Sequence, residues 1–229
     1  KVTGRDISLL GFGCMRFPTY DTGETNARGR KIMAIDMEKS QALVDHAYAN
    51  GVTHYDTAWN YHNEKSAVAI GELLKKYPRE SFTLANKMPG WLITGPEKAK
   101  ELFEEQLKRC GVEYFDYYLC HAISNFDGYE KPYETNGGYE VLAKEKENGR
   151  IKRLGFSFHG DLELFKYILD KHQWDFVLLQ INYIDWVDQN AEALYKELES
   201  RGIQCMVMEP LKGGALASLT PDADAILKE

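Results

Sequence analysis

Residues 50–61 read Asn50-Gly51-Val52-Thr53-His54-Tyr55-Asp56-Thr57-Ala58-Trp59-Asn60-Tyr61. A helix-ending pair leads into a short strand-like run, Val52–Thr57, which ends in an acid and opens into a polar, aromatic stretch. The same design recurs outward in both directions. Strand-like runs stand at Ser8–Gly13, Phe82–Lys87, Phe115–His121, Arg153–Ser157, Phe176–Ile181 and Gln204–Met208. Several are continuously apolar or aromatic, as strands buried on both faces are. One-faced helical patterns lie between them: Leu43, Val44, Ala47 and Tyr48; Ala99, Leu102, Phe103, Gln106, Leu107 and Cys110; Leu164, Phe165, Ile168 and Leu169; Ala191, Leu194, Tyr195 and Leu198. Asn50-Gly51, Cys110-Gly111, Asn148-Gly149 and Arg201-Gly202 each precede a strand, where a left-handed cap is wanted. Strands in strict alternation with helices, about thirty residues apart, predict a parallel α/β architecture.

Two closures of that sheet compete. A doubly wound sheet that binds a dinucleotide carries G-x-G-x-x-G after its first strand. Here Gly11-Phe12-Gly13-Cys14-Met15-Arg16 lacks the third glycine, and a long polar loop follows rather than a helix. The sequence therefore predicts a (β/α)8 TIM barrel over residues 1–229, one domain, with the eighth strand and helix missing from this chain. Lys1 stands where an initiator Met is expected and Glu229 ends a nascent helix, so a trimmed, C-terminally incomplete chain is expected. Two long loops, Pro18–Asp36 and Ala122–Gly138, would overhang the functional rim of such a barrel.

The 229 residues are 44% hydrophobic and 28% charged, with a formal net charge of −7. An acidic balance disfavours nucleic acid and anionic membranes as partners. Cys14, Cys110, Cys120 and Cys205 match no zinc or redox spacing and read as buried thiols of a reducing compartment. No apolar run approaches a membrane span, and no signal-peptide pattern opens the chain, so a cytoplasmic location is expected.

The strand ends concentrate polar residues: Asp56, Lys87, His121, Ser157 and Gln180, with Asn182 just beyond and Tyr61 in the loop after Asp56. Singly, each has a bland explanation: a turn cap, a solvated charge, a core histidine, a packing tyrosine. Together an acid, a lysine and a histidine close three consecutive strands, and that set fits carbonyl reduction. A tyrosine pKa of about 10 is high for a proton donor at neutral pH, and a neighbouring ammonium lowers it. Lys87 would act on Tyr61 in this way, Asp56 would keep the lysine charged, and His121 would orient the carbonyl oxygen. No side chain supplies a hydride, so a nicotinamide cofactor is required.

The ordered stretches Tyr55-Asp56-Thr57-Ala58-x-x-Tyr61, Ala85-Asn86-Lys87, Tyr118-Leu119-Cys120-His121, Gly155-Phe156-Ser157 and Gln180-Ile181-Asn182-Tyr183 resemble the aldo-keto reductase superfamily over nearly the whole chain. The resemblance implies NADPH extended across the rim, with NADH not excluded. It implies that Asp56, Tyr61, Lys87 and His121 form the catalytic tetrad, Asp56 also lying beside the cofactor. It places Ser157 and Gln180, with Asn182, on the nicotinamide amide, and Gly13, Cys14 and Met15 beside the nicotinamide ribose. It places Pro210, Leu211, Lys212, Gly213 and Gly214 near the pyrophosphate. Met208 stands where many relatives stack a Tyr on the nicotinamide, and Phe158-His159 follows Ser157 where many have Asn. His62 follows Tyr61 where many have Gly. Arg16, Trp59, Trp91 and Trp186 are candidate walls of a pocket for a small carbonyl substrate.

The wording Phe156-Ser157-Phe158-His159-Gly160 and Met208-Glu209-Pro210-Leu211-Lys212-Gly213-Gly214 is closest to a branch whose longer members carry a C-terminal 4Fe-4S cluster. The cysteines of residues 1–229 form no such cluster, so one is expected only if the natural chain extends further. Two other readings stay open: a cofactor-binding, redox-sensing subunit with little turnover, and a Schiff-base lyase using Lys87 as nucleophile. The sequence leaves substrate identity and oligomeric state open.

Overall fold

The computed structural model describes residues 7–228. It is an α/β structure whose seven-stranded sheet contains every strand-like run read from the sequence. Contacts divide it into two compact units, one of residues 7–121 and 126–156, the other of residues 122–125 and 157–228. Strand β7 (Ile151–Phe158) has residues in both.

In the first unit the sheet order is β1 (Gly11–Gly13), β4 (His54–Asp56), β5 (Thr83–Met88), β6 (Phe115–Ile123), then β7. The pairs β1–β4, β4–β5 and β5–β6 are parallel. All six residues of β5 are buried, as a two-sided strand requires. Helices α1 (Met37–Ala49), α2 (Ser66–Leu74), α3 (Pro96–Cys110) and α5 (Gly138–Glu147) follow the strands. The buried face of α3, including Leu102, Phe103, Gln106 and Leu107, is the face its 3.6-residue period predicted. Asp36 caps α1 by accepting from Lys39 N at 3.0 Å. Gly71 of α2 lies so close to α3 that a Cβ there would stand 2.5 Å from the Cys110 carbonyl oxygen.

The second unit continues in the order β7, β8 (Phe176–Gln180), β9 (Gln204–Met208), with β8 and β9 parallel. Its helices include α6 (Leu162–Lys171), α7 (Asp185–Asp188), α8 (Ala191–Arg201) and α9 (Pro221–Leu227). Asp161 caps α6 through Leu164 N at 2.9 Å.

The structure departs from the sequence expectation in three places. The stretch 18–36 is not a loop but an antiparallel hairpin, β2 (Thr19–Thr25) and β3 (Lys31–Ile35), closed by Asn26, whose Oδ1 accepts from Arg28 N and Arg30 N. Most of its residues are exposed, so it lacks the alternation that marks a half-buried strand. The stretch 122–138 contains α4 (Phe126–Tyr129) and a π-type turn, Glu130–Thr135. Each is too short to show a helical period. The first strand is also shorter than read. Ser8 and Thr53 instead exchange side-chain-to-backbone hydrogen bonds, each 2.9 Å.

His54 of β4 is buried, its Nδ1 2.9 Å from Thr83 Oγ1. Burial lowers its pKa below 6.5, with Asp56 opposing. The unfolded chain therefore takes up a proton at a pH where the folded chain does not. Stability is full above about pH 6.5 and falls as pH drops below it. Urea melts at pH 7 and pH 5 should show this loss, and His54→Gln should reduce it. No helix among the described residues is long and apolar enough to cross a membrane.

Candidate active site

Parallel pairing sets Asp56 opposite Ala85, two residues before Lys87. Lys87 Nζ donates to Asp56 Oδ2 at 2.6 Å, to the Thr57 carbonyl at 2.8 Å and to Tyr61 Oη at 3.3 Å. Three acceptors match the three donors of an ammonium. The Lys87 side chain is 2% exposed, so this pairing is what makes a buried charge tolerable. Burial alone lowers the Lys87 pKa, but Asp56 and then Tyr61 outweigh it and the ammonium is held above its ordinary value. A Schiff-base nucleophile needs the opposite.

Tyr61 corrects one expectation. Burial raises its pKa, Lys87 lowers it and Asp56 raises it again, leaving the phenol above 10 rather than below. Lys87 thus moderates a burial effect that it does not overcome. The ammonium also lies 4.9 Å from the Tyr61 ring centroid.

Tyr61 enters an unusual turn. His62, Asn63 and Glu64 all take left-handed backbone, at φ 50°, 51° and 68°. Contacts from outside the turn hold it. His62 Nε2 accepts from Phe17 N at 3.0 Å, and burial lowers the His62 pKa, which preserves the neutral acceptor. Glu64 meets Arg109 at 3.3 Å. The Arg109 guanidinium lies 3.9 Å over the Trp59 ring, and Trp59 is buried beneath it.

His121, near the end of β6, meets the Tyr61 ring edge-on, with centroids 6.2 Å apart. Trp91 lies 5.4 Å from His121 between ring centroids and is 54% exposed. The buried Tyr133 hydroxyl accepts from His121 N at 2.9 Å and donates to the Met88 carbonyl at 3.0 Å, joining the ends of β5 and β6. A Cβ at Gly90 would stand 2.9 Å from that hydroxyl.

The chain just beyond β1 is anchored by a side chain of α2. Ser66 Oγ donates to the Cys14 carbonyl and is 2.9 Å from Thr57 Oγ1. A Cβ on Gly13 would meet nothing within 4 Å, so this backbone borders open space. Met15 and Arg16 are exposed, while the Cys14 thiol is buried and its pKa pushed up.

The other sequence-selected residues belong to the second unit. Ser157 Oγ accepts from Ala122 N at 2.7 Å. Gln180 and Asn182 donate to Asp185 Oδ2 at 2.8 and 2.6 Å, and Gln189 donates to Oδ1 at 3.1 Å. Lys212 pairs with the same carboxylate. Asn182 Oδ1 accepts from Ile184 N and Asp185 N, and its Nδ2 also reaches the Glu209 carbonyl, so its amide is consumed locally. Glu209, Lys212, Gly213 and Gly214 all have positive φ. Pro210 and Leu211 are exposed, Met208 is half-buried, and Trp186 packs on Tyr195 at 5.8 Å.

The sequence reading missed the Thr57 carbonyl and Tyr133 in the first unit's cluster, and the buried Asp185 in the second unit. A backbone acceptor leaves no residue signature, and Tyr133 lies in a stretch without periodicity. Asp185 had a signal, the polar spacing Gln180-x-Asn182-x-x-Asp185. Among the described residues no group of three or more His, Cys, Asp or Glu is placed to hold a metal ion.

The chain matches the Aldo/keto reductase family over residues 9–226. It is 32% identical over 162 residues to a probable aldo-keto reductase 1 of Glycine max, covering 67% of this chain and 42% of that protein. The chain thus spans under half the length of that curated relative. Among solved structures, the thermostable aldo-keto reductase Tm1743 with the inhibitor epalrestat aligns at a TM-score of 0.73 and 24% identity, over 99% of this chain and 76% of its own. An aldo-keto reductase of Klebsiella pneumoniae in complex with NADPH aligns at 0.68 and 19% identity, over 92% and 66%. At these identities the structural matches show the fold.

Proposed function

Since this chain belongs to the aldo/keto reductase family, we propose that it reduces an aldehyde or ketone with NADPH and that Tyr61 delivers the proton. The observation that carries this reading is the contact of Lys87 Nζ with both Asp56 and Tyr61 Oη, in a site that keeps the lysine charged and the phenol protonated. Its scaffold is read as a (β/α)8 barrel, of which the seven strands belong to the parallel sheet.

The bound cofactor would supply the hydride that a carbonyl carbon accepts. The chain's own residues do the rest. The Tyr61 and His121 rings lie 6.2 Å apart with Trp91 beside His121, and in this reading the Tyr61 hydroxyl and the His121 imidazole both hydrogen-bond the substrate oxygen. As charge develops on that oxygen, Tyr61 Oη gives up its proton, and the adjacent ammonium of Lys87 stabilises the phenolate left behind. Asp56 keeps Lys87 charged throughout. The residues fit a nicotinamide nucleotide on two further observations. Within the first unit backbone at Gly13 borders open space, and within the second unit so does backbone at Gly214, with the cation of Lys212 near it in the chain. Gln180 and Ser157 are assigned to the nicotinamide amide. Asn182 is left out, because its own amide is already spent. The structure of the Klebsiella pneumoniae protein with NADPH supports the choice of cofactor.

Purified chain should consume NADPH in the presence of a panel of small aldehydes, read as loss of the reduced cofactor's absorbance. NADH in parallel tests cofactor choice. Tight binding without turnover on any aldehyde or ketone would favour the sensing subunit instead.

A further inference from the structure

Asp185 is 0% exposed, yet it carries no part of the chemistry assigned above. Its carboxylate collects donors from three stretches of chain: Gln180 at the end of β8 with Asn182 just beyond it, Gln189 after α7, and Lys212 from the turn after β9. A carboxylate accepts only, so it dictates which way each partner amide faces. The Gln180 amide must turn its Nε2 toward Asp185, which leaves Oε1 as the atom it can present elsewhere. Lys212 spends one N–H on Asp185 and keeps two, with its side chain 36% exposed.

We propose that Asp185 is the positioning residue of the cofactor grip: it fixes Gln180 so that Oε1 faces the nicotinamide amide as an acceptor, and it pins Lys212 and its turn where a phosphate can be met. This rests on the cofactor assignments of Gln180 and Lys212 made above. The chemistry is complementary. A carboxamide NH2 is a donor and needs an acceptor such as Oε1, and a pyrophosphate oxygen needs the donors that Lys212 retains. The turn itself needs holding. Glu209 and Lys212 take left-handed backbone without being glycine, at φ 55° and 46°. Such conformations persist only where surroundings over-determine them. The ion pair to a buried carboxylate is a contact of that kind.

The test is calorimetric binding of NADPH and of its nicotinamide-free fragment, 2′-phospho-ADP-ribose, to the purified protein. Asp185→Asn preserves shape but sets an NH2 among the four donors. The Kd for NADPH should rise by about tenfold, the weight of one misdirected buried hydrogen bond. The fragment should weaken less, because it never meets Gln180. KM for NADPH should follow Kd while kcat at saturating cofactor stays within about twofold of the parent. Gln180→Ala should weaken NADPH similarly, and the double variant should be no weaker than the worse single, since one residue acts through the other. If Asp185→Asn does not fold, Gln189→Ala loosens the same carboxylate from its outer side and is read by the same two ligands. Unchanged NADPH affinity in the folded variant, or penalties that multiply in the double variant, would overturn the proposal. A parent chain that binds no nicotinamide nucleotide at all would instead sink the function proposed above.

Discussion

Tyr61→Phe should bind NADPH as the parent does and reduce aldehydes about a thousandfold more slowly, within the range that general acid catalysis supplies. The substitution removes one oxygen and keeps the ring that packs against His121 and lies beside the Lys87 ammonium. The loss should therefore fall on kcat and not on folding. Single-turnover mixing of the variant with NADPH and aldehyde would measure it. Undiminished turnover would mean that the proton comes from elsewhere, with His121 the next group to test. The parent's pH profile adds a second check. Because burial holds the phenol above its ordinary value, reduction should not lose its donor until the pH passes about 10.

Lys87→Met should be more damaging, because it harms both chemistry and stability. The Lys87 ammonium is buried and satisfies Asp56, the Thr57 carbonyl and Tyr61 together. Removing it strands Asp56, whose side chain is only 24% exposed. Breaking a buried pair from one side costs about 3–5 kcal/mol, and the partial exposure of Asp56 puts this case at the lower end. Turnover should also fall by at least about a hundredfold, since nothing then offsets the effect of burial on Tyr61 or the charge left on its oxygen. Denaturant melts and stopped-flow reduction would separate the two losses. A variant as stable as the parent would show that the ion pair carries no net weight. The double variant Asp56→Asn/Lys87→Met should recover part of the stability and none of the turnover.

The fold was legible wherever burial imposed a period. Strands such as 115–121 and 204–208 and the helix over 96–110 declared themselves because their apolar residues must meet a core. The hairpin at 19–35 did not, because its residues stand mostly in solvent and no pattern distinguishes them from a loop. The candidate site was legible in the same partial way. Asp56, Lys87 and His121 stood out as polar residues ending apolar strands, and parallel pairing brings Asp56 and Lys87 into contact. What the order of residues could not supply was the balance of environments. The lowered phenol expected of Tyr61 required knowing that the ring is buried as well as near a cation. Asp185 and Asn182 show the same limit, for whether an amide is available or already consumed depends on neighbours that only folding supplies.

The left-handed run at His62-Asn63-Glu64 has an evolutionary and engineering consequence. Each such residue forgoes roughly 1–2 kcal/mol relative to right-handed backbone, so the segment next to Tyr61 is a standing deficit that the remainder of the protein must cover. It is held by groups scattered over the chain, Phe17, Arg109 and through it Trp59. Mutations at any of these distant places can therefore shift the reach of Tyr61 without touching it. The tolerance of this protein to sequence change is accordingly uneven, and its most sensitive positions include ones that a distance cut-off around the reacting atoms would leave out.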